Sequence, residues 1–420
     1  MEKKWDVIVI GAGMAGLKAA HDIQQAGKSV LVLEARNRIG GRIHTVRDFA
    51  PIPIELGGEL IHTDKADTWE LVRAHKIQTH QLGTTQIVKN GRWSLPSEDD
   101  EDEIFDTLLK KAKKIGIPKA DENMGSYLSR LGMERDTYPS SFRIVEYDSV
   151  PFSDWDARTM VQLATAYADT HYGQTDYHVI GGQERLLSVL TKGLDIQLNC
   201  VVKQVNWGAN GVIIEAENGN HYASQRLVMT LPPLVLQKRD ITFIPDLPKS
   251  KWDAINVFGR CDIIKIILQF DSPVLPKTVG NILDETGLPP IWWRAGDAYP
   301  EFDGEILVGW AASENARKLI AMSEKDALNT ALNSLRATLN QPDLTPVAMR
   351  LHHWNDDPFA CGAYPYIKPG GEAAVETLAK SLEGVLFWAG AATSDDFSTI
   401  HGAYSSGKRV AKEIISKRYK

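Results

Sequence analysis

Residues 5–36, WDVIVIGAGMAGLKAAHDIQQAGKSVLVLEAR, decide the fold. Val7 to Ile10 are a continuous apolar run of the kind buried on both faces of a parallel sheet. Gly11, Gly13 and Gly16 follow in G-x-G-x-x-G spacing, Leu17, Ala20 and Ile23 recur at helical intervals, and a second strand runs from Ser29 to Glu34. Each glycine has a physical task in a loop that holds a pyrophosphate. Gly11 permits the tight turn, Gly13 lets the backbone approach the phosphates, and Gly16 lets the helix pack closely on the sheet. The helix start at Met14 and Ala15 offers free amides and the positive end of the helix dipole. Glu34 ends the second strand, where a carboxylate accepts both hydroxyls of an adenosine ribose. A glycine triplet alone is a weak signal. Strand, glycines, helix, strand and acid in this order imply an α/β, Rossmann-like domain that binds a dinucleotide.

The rest of the composition bounds the class. A chain of 420 residues, 43% hydrophobic and 24% charged, is ordinary for a globular protein and long enough for more than one core, so two domains are expected. A net charge of -7 argues against a nucleic-acid partner and suits a cationic substrate if the acids surround a cleft. Cys200, Cys261 and Cys361 are widely separated, with no metal-ligand or redox spacing; free thiols in a reducing compartment and no metal site are expected. The start MEKKW runs straight into the first strand, leaving no room for a cleavable signal, and no apolar run reaches the roughly twenty residues needed to cross a bilayer. A soluble, cytoplasmic protein without membrane contact is the expectation. The acidic run SEDDEDE, residues 97–103, reads as a solvated turn or helix start, with a substrate funnel as the alternative.

NAD and FAD remain open until residues 34–45, EARNRIGGRIHT. There Ala35 and Arg36 lie just beyond the acid, and Gly40, Gly41 and Arg42 form a second clamp of backbone and guanidinium for phosphate. This block resembles the flavin-binding signature of the flavin amine oxidase family and its relatives, the phytoene desaturases and protoporphyrinogen oxidases, and implies FAD. Further blocks resemble the same family in order along the chain. Residues 54–63, IELGGELIHT, with Gly57, Gly58 and Glu59, are similar to the segment beneath the isoalloxazine ring. Residues 177–190 resemble the return from substrate domain to FAD domain, and 196–205, IQLNCVVKQV, the strand that follows, with the Val202 backbone at the adenine. Thr230 in LVMTLPPLVL and Trp354 in WNDDPFACGAYPY continue the pattern. The last block, with Gly390, Ala391, Thr399 and Ile400, resembles the C-terminal FAD segment, in which a helix N-terminus points at the pyrimidine edge of the flavin. The resemblance implies two interleaved domains: an FAD-binding domain from 1–75, 176–240 and 350–420, and an α+β substrate domain from 76–175 and 241–349, a mixed sheet flanked by helices. Two departures matter. Ala391 and Ala392 stand where many relatives hold the ribityl chain with an acid, which implies weaker FAD binding. Ala363 precedes Tyr364, where monoamine oxidases carry the cysteine that links to flavin, and Cys361 lies two positions too early; non-covalent FAD is implied.

Residues 258–270, FGRCDIIKIILQF, read as one buried strand with Ile264, Ile266 and Leu268 on one side and Cys261, Ile263, Lys265, Ile267 and Gln269 on the other. A lysine there is explained either by snorkelling at a sheet edge or by the resemblance, which places a lysine beside the flavin, holding a water near the site of oxygen reduction or imine hydrolysis. Tyr364 matches one wall of the family's aromatic cage, with Phe397 or Trp388 adding apolar surface. Thr399 falls at the second cage position, a threonine in several polyamine oxidases and in flavin-dependent histone lysine demethylases. His62 falls where animal-type polyamine oxidases carry histidine, and Glu59 adds a carboxylate. Each has a plainer alternative: Thr399 as a helix cap, His62 as a core histidine, Glu59 as a surface salt bridge. The resemblance thus implies hydride transfer from the alpha carbon of a small-molecule amine to flavin N5, and reoxidation by dioxygen to give hydrogen peroxide and an imine that hydrolyses to aldehyde. Polyamines come first and monoamines second. An L-amino-acid oxidase would need an arginine for the substrate carboxylate, with Arg143 and Arg294 as candidates. A non-oxidase flavoprotein or desaturase relative would need neither Lys265 nor Tyr364.

Overall fold

The computed structural model describes residues 4–89, 91–95, 98–133, 150–170 and 176–416. Arg143 and Ser97 lie outside the described residues. The strand Lys4–Ile10 runs parallel to Val30–Leu33 on one side and to His221–Met229 on the other. Asp195–Gln197 and Leu386–Trp388 extend this parallel core at its two flanks. The nine-residue strand His221–Met229 also joins two architectures, because its first half pairs antiparallel with Gly211–Ala216 while its second half takes Leu386–Trp388. Beyond it lie Val202–Gly208 and then Thr242–Ile244, a strand expected past the boundary at 240 that pairs in this first sheet. The stretch 196–205, expected as one strand, is divided. Asn199 adopts a left-handed φ of 54°, and its amide and that of Cys200 bond to Arg36 O and Glu34 O, turning the chain beside the acid.

Helix Met14–Gln25 packs along helix Ile400–Ser416, and the absence of a side chain at Gly407 is what lets them meet: a Cβ there would lie 2.4 Å from Ala15 O. The first residues of both helices therefore reach one cavity.

The second sheet runs in the order Ala348–His353, Ile263–Phe270, Glu305–Ala312, Ile291–Arg294, Val279–Leu283, Thr84–Lys89, Arg92–Ser94. It is mixed, since Val279–Leu283 is parallel to Thr84–Lys89 and its other pairings are antiparallel. The expected alternation along Ile263–Phe270 holds. Ile264, Ile266 and Leu268 pack with Leu328, Ala331 and Leu335 of helix Glu324–Leu339 in one core, while Ile267 faces Ile52, Ile54 and Leu56 of the other half of the molecule. The expected single strand 258–270 does not: Phe258–Arg260 pairs with Pro365–Ile367 in a separate ladder. The break is held by buried Asp262, whose carboxylate accepts from Arg260 Nε (2.7 Å), Asn355 Nδ2 (2.8 Å) and Arg317 Nη1 (3.3 Å). A helical group built on Met124–Arg130, Ala157–Thr170 and Glu98–Ile115 has its own core around Leu108, Tyr127, Leu128 and Met160. Residue 98 begins a helix, in line with the helix-start reading of the acidic run. Finally, Asp176–Val179 lies between Leu60–His62 and Thr79–Gln81, which brings Asp176 and His178 to the segment carrying Glu59 and His62. Cys200, Cys261 and Cys361 are buried and are joined by no disulfide.

Candidate active site

A cavity of about 950 Å3 opens between the two sheets, at the upper end of the ~300–1,000 Å3 usual for small-molecule sites. Its walls are built from the first strand–helix turn, the 34–43 and 56–62 segments, the second sheet and the Ile400 helix start. Gly11, Gly13, Met14, Ala15, Glu34, Ala35, Arg36, Gly41, Arg42, Gly57, Gly58, Glu59, Val202, Thr230, Trp354, Gly390, Ala391, Thr399 and Ile400 all line it, as do Lys265, Tyr364, His62 and Phe397. Gly16 does not; a Cβ there would sit 2.0 Å from Gly11 O, so its task is helix packing. Trp388 is buried with its ring 4.0 Å from Lys251 Nζ and does not line the cavity, because it belongs to the core behind it. Of the two aromatic candidates, Phe397 alone reaches the cavity, stacked on Phe258 at 6.0 Å.

One end fits a dinucleotide on three observations. A Cβ on Gly13 would meet no protein atom closer than Gly40 O at 3.8 Å, so nothing in the protein itself requires glycine there; a ligand approaching the backbone does. Glu34 is anchored by the amides of Ala12 (2.7 Å to Oε2) and Arg36 (3.0 Å to Oε1), which fix both oxygens at the end of the second strand with lone pairs to spare. Arg42 donates to Ala363 O and has no carboxylate partner among the described residues. Burial, with Arg36 nearby, pulls its pKa down to about 10. A half-buried guanidinium in that condition is completed by an anion such as a phosphate. Arg36 itself pairs with Asp357 and lies 3.7 Å from Glu34.

At the other end stands Lys265, only 6% exposed. It does not snorkel. Its ammonium donates to Gly57 O (2.8 Å), Glu55 O (3.1 Å) and Glu59 Oε2 (2.8 Å). Trp293 Nε1 donates to Glu59 Oε1 at 2.9 Å, and His178 Nδ1 lies 3.6 Å from the same oxygen. Burial alone would raise the Glu59 carboxyl, but Lys265, His178 and Trp293 outweigh it and hold it below the usual range. Glu59 is thus no surface salt bridge; it lines the cavity with its charge already engaged. Neighbouring Glu55 is buried, its carboxylate accepts among the described residues only from Thr45 and the Gln183 amide, and burial pushes it up to about 7.

Tyr364, Trp310 and Trp155 pack around Ile263, and Trp310 faces Lys265 in direct register across the sheet. His352 faces Lys265 on the opposite strand, with its ring edge-on to Trp354 at 4.8 Å. Burial lowers the pKa of His352 to about 4, and those of His44 and His401 similarly. His62 Nδ1 pairs with Asp176 Oδ1 at 2.9 Å, in the cavity wall. Thr399 lines the cavity and also caps its helix, accepting from the Gly402 amide at 2.9 Å, so the plainer reading and the functional one hold together. Arg294 is consumed elsewhere: it donates to Glu305 and to Leu275 O and pairs with Asp297 at 3.1 Å, away from the cavity lining. Sequence reasoning missed Trp155, Trp293, Trp310, Asp176 and His352. Strand pairing brings Trp293, Trp310, Asp176 and His352 to the cavity, and Trp155 comes from the bend before helix Ala157–Thr170, so a local pattern could have flagged at most the tryptophan pair at 292–293. Among the described residues no group of His, Cys, Asp or Glu forms a metal cage, and no helix is long and apolar enough to cross a membrane.

Known proteins share this architecture. Putrescine oxidase, in a structure bound to putrescine, superposes with a TM-score of 0.85 over 99% of this chain and 100% of its own, at 21% identity. Cyclohexylamine oxidase from Brevibacterium oxydans IH-35A gives 0.84 at 19% identity, over 99% of each chain. These likenesses establish the fold. In sequence, human lysine-specific histone demethylase 2 is 28% identical over 98% of this chain, and polyamine oxidase 4 of Oryza sativa subsp. japonica 27% over 97%. The chain spans 53% of the demethylase's length and 88% of the polyamine oxidase's, so it covers about half of the former. The sequence profile of the flavin containing amine oxidoreductases runs from residue 14 to 415, almost the whole chain, and the chain belongs to that family.

Proposed function

We propose that the protein is an FAD-dependent amine oxidase with polyamines as its first substrate class. The observation that carries the reading is one cavity with a phosphate-binding glycine turn at one end and, at the other, Lys265 in a wall shared with Tyr364 and Trp310. When bound there, FAD supplies the redox chemistry, accepting hydride from the amine and passing electrons to dioxygen. The protein's own contribution is position and environment. Tyr364, Phe397 and Trp310 present apolar surface that strips water from an amine and lowers its pKa toward the neutral, reactive form. Gly13, Arg36, Arg42, Glu34 and the start of helix Ile400–Ser416 would hold the cofactor. Ala363 in place of a linking cysteine supports a non-covalent bond state.

Support for a polyamine comes from the His62–Asp176 pair, an imidazole and a carboxylate that together can receive a second nitrogen of a cationic chain. Glu59 is less suited to that task because Lys265 and Trp293 already hold both its oxygens. An amino-acid oxidase loses support: Arg294 is turned away, and Arg36 and Arg42, the arginines lining the cavity among the described residues, are at its dinucleotide end. A second reading, demethylation of a lysine side chain, is favoured by the relatedness to histone demethylases, of which this chain spans only about half. A peroxide-release screen separates these. Putrescine, spermidine or spermine should give peroxide at lower concentration than benzylamine, L-amino acids or an N-methyl-lysine peptide. Turnover of benzylamine or the peptide without polyamine turnover would remove the polyamine assignment, and silence across all amines would remove the oxidase.

A further inference from the structure

We propose that Glu59 is the positioning residue for Lys265: it holds the lysine as a fixed ammonium, balances its charge, and thereby sets the field at the redox end of the cavity. The proposal rests on the FAD reading above and deepens it. An ammonium has three N–H donors. Lys265 directs all three at a single short segment, Glu55 O, Gly57 O and Glu59 Oε2, more than 200 residues away in the chain, with separations of 210, 208 and 206. The protein itself thus supplies acceptors for the whole ammonium. Glu59 is equally committed, with Trp293 on its other oxygen and 7% exposure. A buried carboxylate without a cation would take up a proton, so Lys265 keeps Glu59 ionised, and Glu59 in turn balances the ammonium. Trp293 adds a second anchor: its indole reaches Glu59, and its ring lies 5.2 Å from Lys265 Nζ.

The consequence is electrostatic. Lys265 alone would place a full positive charge in the cavity wall, favouring the more negative, reduced state of a bound flavin; paired with Glu59 it contributes nearly none. Glu59→Gln removes the counter-charge while leaving Lys265 the two carbonyl acceptors that retain its proton. The ratio of reduced to oxidised flavin at a fixed potential should then rise about tenfold, the scale of one unit charge acting over ~10 Å at an effective dielectric of ~20. For a two-electron couple that is a shift of ~30 mV upward, read by dye equilibration. In Lys265→Met the unpaired Glu59 takes up a proton, so the potential should stay near that of the wild type, and the double variant should match it.

Stability provides a readout independent of the flavin. Glu59→Leu and Lys265→Met each strand a buried charge and should lower the folding equilibrium constant by roughly 10²- to 10³-fold, while the double variant recovers most of the loss. Simple addition of the two losses would overturn the pairing. Retention of flavin with an unmoved potential in Glu59→Gln would reduce Glu59 to a structural acid and overturn the proposal alone. Failure of the wild-type chain to retain flavin would overturn the cofactor reading together with it.

Discussion

Gly13 and Gly16 are two residues of one motif, and the structure separates their tasks. Gly13 has φ -79° and open space where a Cβ would be, whereas Gly16 lies against Gly11 O. Gly13→Ala should therefore leave the stability of the flavin-free protein within about 1 kcal/mol, since the backbone angle suits alanine and the unfolded chain loses freedom. The added methyl points where the cofactor must pass, so FAD affinity, measured by fluorescence titration of the stripped protein, should fall by more than about tenfold. Gly16→Ala should show the reverse order of effects, with a loss of about 1–3 kcal/mol in fold stability from forced helix displacement. If Gly13→Ala unfolds the protein and binds FAD normally when folded, the assignment of these glycines is wrong; flavin that cannot be stripped at all would contradict non-covalent binding.

At the scale of the element, the strand Ile263–Phe270 shows what a pattern of alternation conveys and what it omits. It conveyed the two faces, because period two is a property of the strand itself. It omitted the break before Ile263, because that depends on Asp262 gathering Arg260, Asn355 and Arg317 from separate parts of the chain. Asp262 also accepts the Ser313 amide through its own carbonyl, so helix Ser313–Ile320 starts from the same point. Removing this carboxylate leaves Asn355 and two guanidinium groups without their acceptor. Asp262→Ala should cost about 2–3 kcal/mol, a loss tempered by the partial exposure of both arginines. The urea midpoint should drop with little change in slope; an unchanged midpoint would mean that backbone pairing alone sets the break.

Across the whole molecule, legibility followed sequence distance. The dinucleotide end was readable because its turn, acid and second glycine pair fall within residues 11–42 and carry their own physical reasons. Lys265 was readable by family position, but its three acceptors, the indole of Trp293 and the facing Trp310 and His352 are fixed only by folding; Arg294 shows the converse, a candidate drawn into a structural cluster with Glu305 and Asp297. The molecule's acid response belongs to this scale as well. His44, His352 and His401 come from three distant segments, and burial lowers each from the ordinary 6.5 to about 4. Between those values the unfolded chain binds protons that the folded one refuses, so stability is fully present above pH 6.5 and is lost as pH falls toward 4. Glu55, raised from 4.5 to about 7, works in the opposite direction over part of this range, since there the folded state holds the extra proton. Asp297, which burial raises to about 6, works with Glu55, and three imidazoles against these two carboxyls still leave a net loss on acidification. The melting temperature of the flavin-free protein should decline as pH falls from about 6.5 to 4, and His352→Leu should shallow that decline by removing one of the three groups. A melting temperature that rises on acidification through this window would show that Glu55 dominates, and that the imidazoles are reached by water and protonate without resistance from the fold.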